Sequence, residues 1–139
     1  MFSRKTFISW IVSSVIMFSL SYLWHGVILN DFDKVSYPKE LFLSLLAFLY
    51  FIIGLIIALA YTFWGDGKKF LYKGLLIGGL TGSIIFLIVF VLGISFHEKV
   101  LFNHAVIDFC WQVIEQGTGG AAAGFIYSLI VRREQLMHQ

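Results

Sequence analysis

Between Thr6 and Asn30 the chain runs without a single Asp, Glu, Lys or Arg, and the same holds from Leu41 to Phe63 and from Gly74 to Phe96. A bilayer core about 30 Å thick is crossed by a helix of roughly 20 apolar residues. Each run is long enough. Backbone groups in hydrocarbon must pair within their own segment, so these runs are expected to be helices despite their many Ile, Val and Phe residues. A fourth stretch, about Val106 to Val131, is equally long but contains the acids Asp108 and Glu115. The expected fold is all-α: one transmembrane bundle over residues 1–139, with helices at about 8–29, 41–63, 74–96 and 106–131.

Composition agrees. Only 13% of residues are charged, against about 25% in a soluble domain. A water-facing surface is built from charge, so most of this surface must face something else. The expected partner is the lipid bilayer. The net charge of +2 forms no basic stripe, which removes nucleic acid as a partner. The single cysteine, Cys110, excludes an internal disulfide and a CxxC redox pair. No nucleophile-and-base pattern is present. The glycine-rich stretch Gly117 to Gly124 lacks the Lys of a phosphate loop and lies in a span. No cofactor and no metal are therefore expected, and an enzyme is the least favoured class. Arg4 and Lys5 before the first apolar run imitate a signal peptide. That run is too long and lacks a small-x-small cleavage site, so it reads as a retained span.

The connectors Asn30–Glu40, Trp64–Lys73 and His97–Ala105 are short, which predicts an up-down-up-down bundle of antiparallel neighbours. Arg4, Lys5, Lys68, Lys69, Lys73, Arg132 and Arg133 then fall on one side, and Lys34, Lys39 and Lys99 on the other. The positive-inside rule places both termini in the cytoplasm of a cell with the protein in its inner (plasma) membrane.

Helices in lipid associate where small residues allow close backbone approach. Gly74, Gly78 and Gly82 stand four apart on the third helix, Gly120 and Gly124 on the fourth, Gly54 and Ala58 on the second. These read as seams inside one bundle, with a homodimer or larger membrane complex as the alternative use of one stripe. The halves also resemble each other. Gly54, Ala58, Tyr61 and Thr62 align with Gly120, Gly124, Tyr127 and Ser128, and Trp24-His25 with Phe96-His97. A true duplication would make two helical hairpins related by an axis along the membrane normal, as in some transporters. Apolar sequences also match by chance, and Asp108 and Glu115 have no acidic counterparts.

Ionisable groups inside a bilayer are costly and turn toward the bundle interior. His104, Asp108, Gln112 and Glu115 follow one another at spacings of four, four and three, which makes a polar stripe on one helix face. His25 lies at a depth between Glu115 and Asp108, and Ser21 and Ser14 continue its face inward. The expected site is a pocket toward the outer leaflet lined by His25, Asp108, Gln112 and Glu115, which binds or passes a proton, cation or small polar solute. The competing reading is a polar clasp that only locks helices together in an accessory or assembly subunit. A metal or haem site near His25, His97 and His104 ranks lower, because the histidines lack ligand spacing. At Trp24-His25-Gly26 followed by Asp31-Phe32-Asp33, and at Trp111 to Gly124 with Glu115 and its glycines, the chain resembles small bacterial four-helix integral membrane proteins of uncharacterised function. That resemblance implies the fold and no activity.

Overall fold

A computed structural model describes residues 3–34, 36, 38–64, 69–96 and 102–137. Lys68, His97, Lys99 and Tyr37 lie outside the described residues, as does the matching of His97 to His25. Among the described residues the structure is helical, with four long helices: α1 (Arg4–Ser21), α2 (Lys39–Trp64), α3 (Phe70–Phe96) and α4 (Phe102–Met137). Three segments are long and apolar enough to cross a membrane: Arg4–Ile28, Lys39–Trp64 and Phe70–Leu92.

Burial on α1 is inverted relative to a water-soluble helix. Its buried residues are Thr6, Ser9, Ser13, Ser14, Met17 and Ser21, all but one of them hydroxyl-bearing. Phe7, Val15 and Leu23 point outward. So do Leu45, Phe48 and Phe63 of α2, and Leu80, Ile84 and Leu87 of α3. Polar inside and apolar outside is the arrangement that an apolar solvent selects, because buried hydroxyls then find protein partners. The Ser13 Oγ donates to the Gly119 carbonyl at 2.9 Å, joining α1 to α4. The Thr6 and Thr62 hydroxyls meet at 3.1 Å, joining α1 to α2. The Trp10 Nε1 donates to the Phe51 carbonyl at 2.7 Å.

The helix α4 is the centre of the bundle, with α1, α2 and α3 packed around it. It carries the polar and small residues on the covered side: Glu115, Gln116, Gly117, Gly119, Gly120, Ala123, Gly124, Tyr127 and Ser128 are all buried. That composition explains why α4 is missing from the apolar spans, since its neighbours screen its polar face. Contacts between helices run in opposite chain directions. Lys5, Ser13 and Trp24 meet Glu134, Gly119 and Trp111. Likewise Gly74, Gly78 and Gly82 meet Gly120, Gln116 and Gln112.

The small-residue stripes are all occupied within the one chain. A Cβ on Gly74 or Gly78 would collide with the backbone carbonyl of Gly120 or Gln116, and one on Gly82 would lie 2.7 Å from the Gln112 carbonyl oxygen. Gly54 faces the Ser14 side chain, and Gly124 faces the Phe70 carbonyl and the Tyr61 ring. Ala58 is buried beside them. The core at the level of α2 is built from Ile53, Ile57, Tyr61, Ile77, Ala123 and Tyr127, with the Tyr61 and Tyr127 rings 5.3 Å apart.

One end of the bundle, here the terminal end, carries Lys5, whose ammonium lies 3.8 Å from the Glu134 carboxylate and over the Tyr127 ring. The other, the loop end, carries the turn between α1 and α2.

Candidate functional site

At its loop end α1 does not stop but widens into a π-helical segment, Tyr22–Ile28, in which the Leu29 N–H reaches back five residues to the Trp24 carbonyl at 2.9 Å. Such segments are rare and concentrate at functional sites. This one holds Trp24, His25 and Gly26. Asn30 then takes a left-handed backbone (φ 52°), which Asn tolerates better than most residues. The chain turns through a short 3₁₀ helix, Asp31–Lys34, and folds back on the π segment. Phe32 is buried against Gly26, where a Cβ would sit 2.7 Å from the Phe32 ring, and its ring also meets Tyr22 and Phe42. The His25 Nδ1 lies 3.4 Å from the Asp31 carboxylate, and the Lys34 ammonium donates to that carboxylate at 2.8 Å. Lys34, and to a smaller degree His25, hold the Asp31 carboxyl below its ordinary value of 3.8. Lys39 does the same for Asp33.

One turn deeper sits Glu115, with 0% of its surface exposed. The Trp111 Nε1 donates to its Oε2 at 3.0 Å and the Gln116 Nε2 donates to its Oε1 at 3.3 Å. Tyr50 of α2 lies near the same carboxylate and near Ser21 of α1. Three helices thus converge on one acid. Among the described residues, Glu115 makes no ion pair with Lys, Arg or His; the His25 imidazole is near enough to act on its charge but does not touch it. The indoles of Trp24 and Trp111 stack above it, centroids 4.3 Å apart and nearly parallel at 13°. Two buried polar atoms here have no hydrogen-bond partner among the described residues: the Trp24 Nε1 and the Gln116 Oε1. No family model, curated protein or solved structure matches this chain.

The four residues expected to line the pocket divide. Glu115 is buried at the convergence of helices. His25 is half-buried one turn above, and its contact is Asp31. Gln112 is half-buried, with its carbonyl under Gly82. Asp108 is exposed, as is His104, although Phe109 next to Asp108 packs on Phe86 of α3 with ring centroids 5.2 Å apart. Among the described residues no three His, Cys, Asp or Glu side chains gather as a metal would require. Tyr50, Trp111 and Gln116 were absent from the sequence expectation. Trp111 had a signal in its spacing of four from Glu115, which places an indole N–H over a carboxylate on one helix face. Tyr50 had none, since its role depends on how α2 is rotated against α4.

Proposed function

We propose that this chain is a four-crossing protein of a bacterial inner membrane, up-down-up-down with both termini cytoplasmic, and that Glu115 is the centre of a site that binds or passes a proton or small cation. The charge distribution of Lys and Arg supports the orientation. A hairpin repeat is supported by Gly54 and Gly120 each packing on the partner within its own helical pair. It is weakened by α1 packing far more closely on α4 than α3 does on α2.

The observation that carries the reading is a fully buried carboxylate that accepts hydrogen bonds from Trp111 and Gln116 of its own helix and that no described residue supplies with a cation. A lone anion in a low-dielectric interior is strongly penalised until something positive joins it. The smallest joiner is a proton, and a small cation is the next. Hydrogen-bond donors orient the carboxylate without neutralising it, which leaves that role to a mobile species. The same surroundings also favour the second reading, in which the Trp24–Trp111 stack and Tyr50 merely clamp the helices of an accessory subunit.

Purified protein in liposomes that enclose a pH-sensitive dye separates the two. Wild-type protein is expected to relax an imposed pH gradient, or to couple it to a cation gradient, while Glu115→Gln relaxes it no faster than empty liposomes. Equal rates for wild-type and empty liposomes end the transport reading. Equal rates for wild type and a less stable Glu115→Gln leave the clamp.

A further inference from the structure

The polar column between α1 and α4 is continuous in composition and blocked at one place. From the terminal end it comprises Lys5, Thr6 with the half-buried Thr62 of α2, Ser9 and Ser13, of which Thr6, Ser9 and Ser13 are buried. Then comes Met17, 0% exposed, its side chain packed on Gly119 so closely that a Cβ there would overlap the Met17 Cγ. Ile57 and Ala123 at 0% and Tyr61 at 1% close the same region of the core. Above this plug lie Ser21, Tyr50, Gln116 and Glu115. From there the exposure rises steadily toward the loop end: Trp24 is half-buried, the His25 side chain is 35% exposed and the Asp31 side chain 40% exposed. The orphaned Trp24 Nε1 and Gln116 Oε1 both lie on this side of the plug. A buried N–H and a buried carbonyl oxygen left without partners are the groups that a water or a small polar solute satisfies. The third orphan, the Ser9 Oγ, lies on the far side, so the plug divides two unsatisfied stretches.

We infer that the Glu115 site communicates with water at the loop end only, along the His25–Asp31 and Trp24–Trp111 side, and that Met17 closes it against the terminal end. The inference rests on reading Glu115 as a binding site and specifies how that site is reached. The titratable groups facing the path are His25 from the π segment, Asp31 with Lys34 from the turn, Tyr50 from α2 and Glu115 itself from α4. The α3 residues opposite, about 78–85, contain no titratable side chain. A cation that approaches from the loop end therefore meets the Asp31 carboxylate first and Glu115 last. Met17 suits a closure, because its unbranched thioether fills an irregular gap and swings aside more readily than a branched side chain. Full passage would require that movement, and the closed form explains how a polar column avoids leaking.

The probe is the silver ion, a small cation that binds thiols irreversibly enough to protect them from later alkylation. The exposed and sole cysteine is first removed as Cys110→Ser. Ser21→Cys then places a thiol above the plug, and Ser13→Cys places one below it. Silver is applied to intact spheroplasts or to inside-out vesicles, and protection is read by mass spectrometry after denaturation and alkylation. Expected is protection of Ser21→Cys from the loop-end side alone, and no protection of Ser13→Cys from that side. Adding Met17→Ala to Ser13→Cys should extend loop-side protection to it. Protection of Ser21→Cys from the opposite side, or from neither, overturns the inference, as does loop-side protection of Ser13→Cys with Met17 in place. The Ser21 and Ser13 pair decides the matter even if the Met17 variant folds poorly. These thiols report access whether or not Glu115 carries ions, so failure here and failure of the flux assay are separate results.

Discussion

Substituting Ala for Gly78 and, separately, for its neighbour Gly79 isolates the energy of the α3–α4 seam. Both are helical glycines in the same turn of α3, so both exchanges carry the same gain in helix propensity, about 1 kcal/mol. They differ in what the new methyl meets. At Gly79 the nearest atom is a Val113 methyl at 3.8 Å, an ordinary contact with a side chain that can adjust. At Gly78 the methyl enters the α4 backbone, with the Gln116 carbonyl carbon at 2.8 Å and the Gly117 Cα at 3.0 Å. Backbone in the middle of a helix cannot rotate aside, so the helices must separate along the whole seam that Gly74, Gly82 and Gly120 also form. Overpacking of this kind costs about 1–3 kcal/mol. Because the propensity gain cancels, the difference between the two variants is the packing cost itself, or roughly 5- to 150-fold in the folding equilibrium.

Sodium dodecyl sulfate titration of the protein in mixed micelles measures this, with Trp fluorescence as the signal. The stacked Trp24–Trp111 pair should report loss of the bundle. Gly79→Ala is expected to be neutral or slightly stabilising and Gly78→Ala clearly destabilising. Variants equal to within about 0.5 kcal/mol would refute the claim that close backbone approach, and not apolar burial, holds α3 to α4.

Two further outcomes follow from the same structure. Ser13→Ala removes the hydroxyl that donates to the Gly119 carbonyl, an interhelical bond worth about 0.6–1.7 kcal/mol inside a membrane, and the same titration should register a loss in that range. At the loop end the Lys34–Asp31 tie is a pH-dependent contact: a carboxyl held below its unfolded value stabilises the turn above pH 3.8 and loses that contribution as pH falls through the depressed folded value. The protection factors of the Asp31–Lys34 amides, measured exchange divided into the intrinsic rate at each pH, should therefore be constant at neutral pH and fall only in strong acid, and Lys34→Gln should move the fall to higher pH.

How much of this was legible in the sequence depends on which residues are asked. The three uninterrupted apolar runs announce membrane helices because a water-facing segment of that length could not do without charge. The glycine stripes announce seams for the same kind of reason, since Gly74, Gly78 and Gly82 have no use for their spacing except to let another backbone in. The partner of each seam was not legible, because rotation about a helix axis leaves no trace in spacing. That is why Tyr50 could not be placed beside Glu115. The polar stripe on α4 shows the limit most clearly. His104, Asp108, Gln112 and Glu115 do share a register, yet burial falls away along it, from Glu115 at 0% to an exposed Asp108. Periodicity fixes which side of a helix a residue is on and is silent about which positions on that side a neighbouring helix covers.

The loop end adds a second kind of silence. That His25 would meet Asp31 requires the π widening of Tyr22–Ile28, a left-handed Asn30 and a ring seated on Gly26, and each of these is a local backbone event with no apolar period to betray it. Their combined effect bears on the proposed function. The turn delivers an acid to the imidazole that would otherwise be the nearest base to Glu115, and so leaves Glu115 as a buried acid with hydrogen bonds but no cationic partner among the described residues. Had His25 reached Glu115 directly, the pair would have neutralised itself and the structural clamp would be the better reading. The diversion of His25 to Asp31 is what leaves room for the proton or cation proposed at Glu115.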